Sequence, residues 1–271
     1  MAAILPLRTH ADLFVNLTLR ELRGKYKRSL LGWGWSLVNP IAMTAIFTFV
    51  FSVLLDFDAP VGDPSDLHVF AIFLLCGLLP WNLLANGLVG GMGSLLGNAN
   101  LIKKVYFPRG LLVAASTASL AITLLIELGV LSVALLVTGH MVLPWLPVVL
   151  GVVLLQTLFV LGLALLLAVV AVYFRDMEHL IGILLQVWFY ATPVIYPISR
   201  ARDGLSDHPT VRWLYEANPM TRFASIYRDL LYNLRGPRLA DVLAVVLATG
   251  VTLVLGTSVF RRLEPRLAEE L

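Results

Sequence analysis

Between Glu21 and Pro40 the chain sets cations beside aromatic rings. Arg23, Lys25, Lys27 and Arg28 surround Tyr26, Trp33 and Trp35 follow, and no further charge occurs until Asp56. Cations so grouped hold phosphate oxygens by charge-assisted hydrogen bonds. Indole rings suit a membrane boundary, where the N–H stays wet and the ring dry. The pattern is that of a chain meeting lipid phosphates and then entering hydrocarbon. It admits two readings, an intake surface for an anionic ligand or a topological anchor.

A second cluster lies at 98–112, NANLIKKVYFPRGLL. A simple connection would be polar. Here Leu101, Ile102, Val105, Tyr106 and Phe107 surround Lys103 and Lys104, with Arg109 after Pro108. Apolar side chains on an exposed loop need a cover, so the segment reads as a docking surface for a soluble partner or as an anchor returning Tyr106 and Phe107 to the bilayer.

A third group sits between 192 and 237. TPVIYP, 192–197, places Pro193 and Pro197 around Tyr196 and predicts broken helix geometry, which membranes tolerate where the backbone lines a cavity or is buried in protein. Asn218 followed by Pro219 is a helix start, a capping side chain and then proline at the first helical position. Phe223, Ile226, Tyr227, Leu230, Leu231 and Leu234 recur at helical spacing, Arg222, Arg228, Asp229, Asn233 and Arg235 mostly occupy the other side, and Gly236–Pro237 stop the helix. A gate at an exit is one reading of this group; prolines in an ordinary membrane helix are the other.

Other chemistry is scarce. Asn82 and Asn86 share a helical face and either line an aqueous path or join two helices. Glu127 is the single acid in an apolar run, a functional candidate by position or a neutral group bonded to a neighbour such as Thr123. The sequence contains no G-x-x-x-x-G-K-[ST] loop for ATP. Its five histidines are scattered without metal-ligand spacing, so no metal site is expected. No file of titratable groups crosses the apolar segments, as an ion-driven pump would need. An enzyme and an ion-driven transporter are both disfavoured.

The elements that must hold these residues follow from composition. Of 271 residues, 59% are hydrophobic and 14% charged, against roughly 25% charged in soluble domains. A net charge of +3 is too small to argue for nucleic acid, and the single cysteine, Cys76, allows no disulfide framework. Crossing hydrocarbon takes about 20 apolar residues, and six segments qualify: Leu37–Leu55, Val69–Met92, Gly110–Thr138, Trp145–Tyr173, Leu180–Pro197 and Val242–Phe260. The expected fold is an all-α polytopic membrane protein with six transmembrane helices. Thr9 and Asp12 suggest a capping-box start for an amphipathic helix ahead of the first span, with Gly24 able to break or bend it. Arg8, His10 and Asp12 interrupt the start before any apolar core, unlike a signal peptide.

Thirteen of the twenty Lys and Arg residues fall in 1–36, 93–109, 174–179 and 261–271, while loop Asp56–His68 has four aspartates and neither Lys nor Arg. That asymmetry predicts both termini inside. Seven arginines in 199–241 run against the rule, which long loops obey poorly; the alternative is that the fifth segment only dips into the membrane.

Four stretches, ELRGKYKRSLLGWGWSLVNP, LIKKVYFPRGLL, VYFRDMEHL and WLYEANPM, resemble in type and order the signatures of bacterial ABC-transporter permeases that export polysaccharides and teichoic acids. The resemblance covers nearly the whole chain. It implies one transmembrane domain over 1–271, acting in the plasma membrane as a dimer with two separate ATPase subunits. It implies an interface helix at 9–24, a coupling helix at 98–109 and outer gate helices at 199–235. ATPase contact would then fall to Leu101, Lys103, Lys104, Tyr106, Phe107 and Arg109, with Arg175 and Asp176 at a shorter second contact. Lys25, Tyr26, Lys27 and Arg28 would meet the pyrophosphate of a lipid-linked glycan, with Trp33 and Trp35 guarding the intake. Aromatic residues would line the path, with Phe47, Phe51, Trp81, Trp188 and Tyr190 placed there by span position. Pro193, Tyr196, Pro197, Asn218 and Pro219 would belong to the outer gate. The implied cargo is an O-antigen, teichoic acid or galactan-like polymer. No cofactor is implied in this chain, ATP and magnesium belonging to the partner. A drug or lipid exporter, or a scaffold recruiting envelope enzymes, is the alternative.

Overall fold

Long uncharged runs leave the backbone no partner but itself, and a helix is the structure that satisfies every N–H and C=O within one segment. The computed structural model describes residues 7–25, 32–57, 59–105, 107–174 and 176–267, and among them contains helices and no strand. Helix α1 spans Leu7–Lys25. Helix α2, Trp35–Thr48, continues as a π-helical turn over Phe49–Leu54. Helix α3 spans Phe70–Leu96, α4 Ala99–Lys104, α5 Gly110–Val137 and α6 Leu146–Tyr173. Then come α7, Met177–Tyr190, α8, Ile198–Gly204, and α9, Pro209–Ala217. Helix α10, Pro219–Tyr227, runs into a second π-helical turn, Arg228–Tyr232, before α11, Leu239–Leu263.

Among the described residues, five helical segments are long and apolar enough to cross a membrane: 35–54, 70–96, 110–137, 143–173 and 239–263. The predicted fifth segment, Leu180–Pro197, differs. Helix α7 has 14 residues, about 21 Å at 1.5 Å per residue, and stops at Tyr190 because Pro193 and Pro197 cannot extend it. Two further expectations are corrected. Helix α1 starts at Leu7, ahead of Thr9, so Thr9 is not its cap, and it runs through Gly24 to Lys25 unbroken. The amphipathic helix expected to run from Asn218 to Gly236 has α-helical geometry only to Tyr227 and is π-helical to Tyr232.

Helix α3 is the centre of the packing, with α5 and α6 against it and α11 against α6. Small residues set these distances. A Cβ on Gly91 would come within 2.6 Å of the Ala164 Cβ, and one on Gly256 within 2.1 Å of the Gly162 carbonyl oxygen. Helices α6 and α11 therefore touch backbone to backbone. Inside, Gln156 of α6 donates to the Pro80 carbonyl of α3 at 2.7 Å, a polar link of the kind that is one of the two readings of Asn82 and Asn86. Asn82 is half-buried and Asn86 exposed.

Contacts sort the loops to two ends. At one end Arg20 donates to Asn98 Oδ1 at 2.7 Å, and the Arg109 amide donates to Glu264 Oε1 at 2.8 Å. At the other the Tyr232 hydroxyl donates to the Pro60 carbonyl at 2.6 Å, Arg235 reaches Asp63 at 3.4 Å, and Gly236 lies against the Trp145 ring. Helix α3 runs from the second end to the first, α6 likewise, and α11 from the second to the first.

Candidate functional site

The aromatic residues expected along a path are held in one chain of rings. Phe47 and Phe51 have centroids 6.1 Å apart, Phe51 stacks with Phe70 at 6.1 Å, and Phe57 meets Phe70 edge-on at 5.9 Å. Phe47 reaches Phe189 at 6.4 Å, Phe189 meets Trp81 at 5.4 Å, and Trp81 meets Trp188 edge-on at 6.1 Å. Tyr190 adjoins Phe189 at 5.3 Å. Helices α2, α3 and α7 thus bring Phe47, Phe51, Trp81, Trp188 and Tyr190 together through Phe189, Phe57 and Phe70. Their exposures differ. Trp81 is buried at 5% and backs the array, Phe47, Phe51 and Trp188 are half-buried, and Tyr190 is open at 60%.

An open cleft of about 590 Å³ lies over the exposed end of this array, lined by Phe51, Phe57, Tyr190, Tyr196, Arg200 and Tyr215 among others. Arg200 sits 4.6 Å above the Phe57 ring, a cation–π contact. The Tyr196 hydroxyl donates to the Tyr190 carbonyl at 2.7 Å, and the Tyr215 hydroxyl to Tyr196 Oη at 3.5 Å. Burial, with the Tyr196 hydroxyl beside it, pushes the Tyr215 phenol well above its ordinary range, so it stays a neutral hydrogen-bonding group.

Asn218 holds the cleft's roof to its wall. Its Oδ1 caps α10 by accepting from the Met220 amide at 3.0 Å and also accepts from the Trp188 indole at 2.9 Å. Its Nδ2 donates to the Ala191 carbonyl at 3.2 Å and to Thr192 Oγ1 at 3.0 Å. One side chain ties α10 to the end of α7. Pro193 is buried, and Tyr196, Pro197 and Pro219 are half-buried around it. Helices α8 and α9 are clipped by Glu216, which accepts from Arg202 at 2.9 Å and Arg212 at 3.3 Å. Partial burial works against the Glu216 carboxylate, but the hydrogen bonds from Arg202 and Arg212 outweigh it and hold the carboxyl below its ordinary range.

The residue that the periodicity of 219–235 misplaces is Arg228. Helical spacing puts it on the polar side, yet it is 7% exposed, lies 3.8 Å over the Phe73 ring and donates from Nη2 to the Val194 carbonyl at 2.6 Å. It thereby supports the non-helical backbone after α7. Gly77 makes room, since a Cβ there would meet Arg228 Nη2 and the Val194 oxygen, each at 3.1 Å. No local pattern signals such a contact, because it joins residues 34 apart.

At the opposite end, α4 exposes Lys103, Lys104 and Val105, while Ile102 is buried and Leu101 half-buried. Phe107 is turned into the core at 7% exposure, and Arg109 is half-buried, its Nη1 donating to the Glu264 carbonyl. Asp176 is exposed just ahead of α7. Trp35 is half exposed at the start of α2, and Lys25 ends α1. Its ammonium, though on the bundle's outside, is crowded enough for desolvation to depress its pKa, with Glu21 and Glu127 opposing. Glu127 itself is buried at 7%, and Thr123, its expected partner, donates to the Ser119 carbonyl at 3.0 Å instead. Tyr26, Lys27, Arg28, Tyr106, Arg175 and the Trp33 side chain lie outside the described residues. No group of three or more metal-ligating side chains occurs among the described residues.

The profile of the family described as ABC-2 type transporter matches residues 12–232. The chain belongs to that family. Its relatives include O-antigen export system permease proteins RfbA. One from Klebsiella pneumoniae is 30% identical over 262 residues, covering 95% of this chain and 94% of the relative. One from Myxococcus xanthus is 30% identical over 269 residues, 97% and 96% of the two chains. A second from Klebsiella pneumoniae is 27% identical over 260 residues. The family match takes in α2 to α10, so the ring array, the cleft and α4 all belong to the ABC-2 type transporter region, and α11 lies beyond it.

Proposed function

We propose that this chain is the membrane-spanning permease subunit of an ATP-driven exporter of lipid-linked polysaccharide, working as a dimer with two separate ATPase subunits. The observation that carries the reading is near full-length similarity to O-antigen export permeases, 95–97% of this chain. The continuous array of aromatic rings beneath an open cleft supports it, since apolar sugar faces stack on such rings and tyrosine and tryptophan keep a polar handle for hydroxyls.

The chain crosses the inner membrane six times with both ends in the cytoplasm. Phe174 follows α6 at the end of the bundle holding Asn98 and Glu264, and Pro197 adjoins the end holding Pro60 and Asp63. Helix α7 and the segment 191–197 must cover that distance together. Helix α1 lies on the inner leaflet, where Lys25, with Tyr26, Lys27 and Arg28, receives the diphosphate of the cargo while Trp33 and Trp35 flank the intake. Lys103, Lys104 and Val105 of the exposed α4 edge, with Arg175 and Asp176, seat on the ATPase; Leu101, Tyr106, Phe107 and Arg109 shape that seat. Helices α8 to α10 form the outer gate, with Asn218 and Pro193–Pro197 at its hinge. The chain itself needs no cofactor, ATP and magnesium being held by the partner.

The test is reconstitution in vesicles with and without a partner ATPase subunit. A fluorescent lipid-linked glycan should reach the far leaflet only with both subunits and ATP. Movement of glycan, or nucleotide hydrolysis, by this chain alone would overturn the reading.

A further inference from the structure

The outer end carries a second pocket, separate from the aromatic cleft. It encloses about 260 Å³ between Pro60–Asp63, the start of α8, the π-helical turn and the first turn of α11. Five arginines line it, Arg202, Arg222, Arg228, Arg235 and Arg238, against three aspartates, Asp63, Asp229 and Asp241.

The acids there are already engaged. Asp241 holds Arg222 at 2.7 Å, Asp229 holds Arg235 at 2.9 Å and accepts from the Asn233 amide at 2.9 Å, and Asp63 reaches Arg235 at 3.4 Å. Arg202 is taken by Glu216 at 2.9 Å. Arg228 and Arg238 are left without a carboxylate among the described residues. Arg238 is exposed at the rim. Arg228 is 93% removed from solvent, given its 7% exposure, and its buried Nε has no hydrogen-bond partner. A desolvated cation without a counter-charge is costly, and an incoming anion offsets that cost. Arg228 gives Nη1 and Nη2 to the Tyr196 and Val194 carbonyls, at 3.5 and 2.6 Å, but those neutral acceptors leave its charge uncompensated at the pocket wall, while Arg238 lines the same pocket. A tetrahedral anion, with oxygens on several sides, can meet both charges at once. A carboxylate offers a single two-oxygen edge.

We propose that this pocket is a phosphate-binding site on the outer face, with Arg228 and Arg238 as its cations and the Arg222–Asp241 and Arg235–Asp229 pairs as neutral walls. Its ligand is a phosphate or diphosphate group, carried either by a soluble or glycan-linked diphosphate or by a phospholipid headgroup of the outer leaflet. The site rests on the pocket's charges and not on the export reading; a chain that exports nothing would still bind.

The test uses the full chain purified in an uncharged detergent. Inorganic pyrophosphate is titrated calorimetrically, with maltose as a neutral probe, and phosphatidylglycerol retention is read by native mass spectrometry. Variants are Arg238→Ala at the rim, Arg228→Lys as a charge-keeping change in the floor, and Arg261→Ala at the opposite end. Saturable pyrophosphate binding, weakened at least tenfold by Arg238→Ala and untouched by Arg261→Ala, supports a diphosphate site. Retention of phosphatidylglycerol that Arg238→Ala abolishes, without pyrophosphate binding, supports the headgroup as the source. Arg228→Lys should weaken either ligand, because an ammonium keeps the charge but loses the paired carbonyl bonds that hold the guanidinium in the floor. Binding of neither ligand, equal loss with Arg261→Ala, or maltose binding that alone depends on Arg238 overturns the proposal.

Discussion

Replacing Gly256 by alanine should separate α6 from α11. The new Cβ would sit 2.1 Å from the Gly162 oxygen, and ordinary contact begins at 3.4 Å, so the helices must part locally by about 1.3 Å, enough to forfeit much of the dispersion energy across the contact. The obstacle is backbone, which cannot swing aside as a side chain does. Overpacking of this kind costs about 1–3 kcal/mol, and alanine returns up to about 1 kcal/mol in helix propensity. The net loss, on the order of 1–2 kcal/mol, lowers the folded-to-unfolded ratio roughly 5–30-fold. Gly250 lies on the same helix with nothing within 4 Å of its Cβ position, so Gly250→Ala should be neutral or stabilising. Both variants would be unfolded in mixed micelles by rising dodecyl sulfate and followed by circular dichroism. Equal midpoints for Gly256→Ala and Gly250→Ala would refute the backbone contact as the determinant of this packing.

Asn218→Ala removes a helix cap worth about 1 kcal/mol and strands the Trp188 indole N–H, which costs about 1–3 kcal/mol more when buried. Asn218→Asp keeps the acceptor and should lose less in a thermal melt. Charge reversal at Lys103 and Lys104 should leave insertion and folding intact but cut ATP-dependent export at least tenfold, since both side chains are exposed and hold no partner in the described chain; normal export by the double variant would remove α4 from the coupling surface. The Glu216 carboxyl is held below the ordinary value of 4.5, so its clip on α8 and α9 is in force above that pH and lost as pH falls through the depressed value. Protection of the α9 amides, with the intrinsic slowing of exchange in acid divided out, should therefore fall as pH drops below 4.5, and Glu216→Gln should flatten that dependence.

What the sequence discloses about this fold divides by range. The spans over 70–96, 110–137 and 146–173 are plain because each is an apolar run with no charge but Glu127 and is longer than the hydrocarbon is thick, and the expected limits fall within a few residues of the observed ones. Asn218–Pro219 is equally plain, since cap and first-turn proline are adjacent in the chain and the cap bond forms. The fifth segment misleads because hydropathy does not register that its last seven residues are non-helical. Arg228 misleads for the opposite reason. A period of 3.6 assigns it to a polar, exposed side, but the turn there is π-helical, and both sides of 228–232 are buried. The five aromatic residues chosen by span position stand in one array, yet span position could not tell that Trp81 packs inward while Tyr190 opens to the cleft. That distinction depends on which neighbour covers each ring.

The brevity of α7 bears on how the protein is made. A machine that inserts helices one at a time partitions each by its own apolar length, and 14 helical residues supply about 21 Å against about 30 Å of hydrocarbon. The carbonyl of Val194 finds its donor on Arg228, which is synthesised 34 residues later. Until then the segment carries backbone oxygens that lipid cannot satisfy. It should therefore wait beside α3 or at the surface, and seat only when the ribosome has delivered the turn at 228–232. Biogenesis would thus have a late commitment point, and damage at that turn should appear as failed maturation before it appears as failed transport.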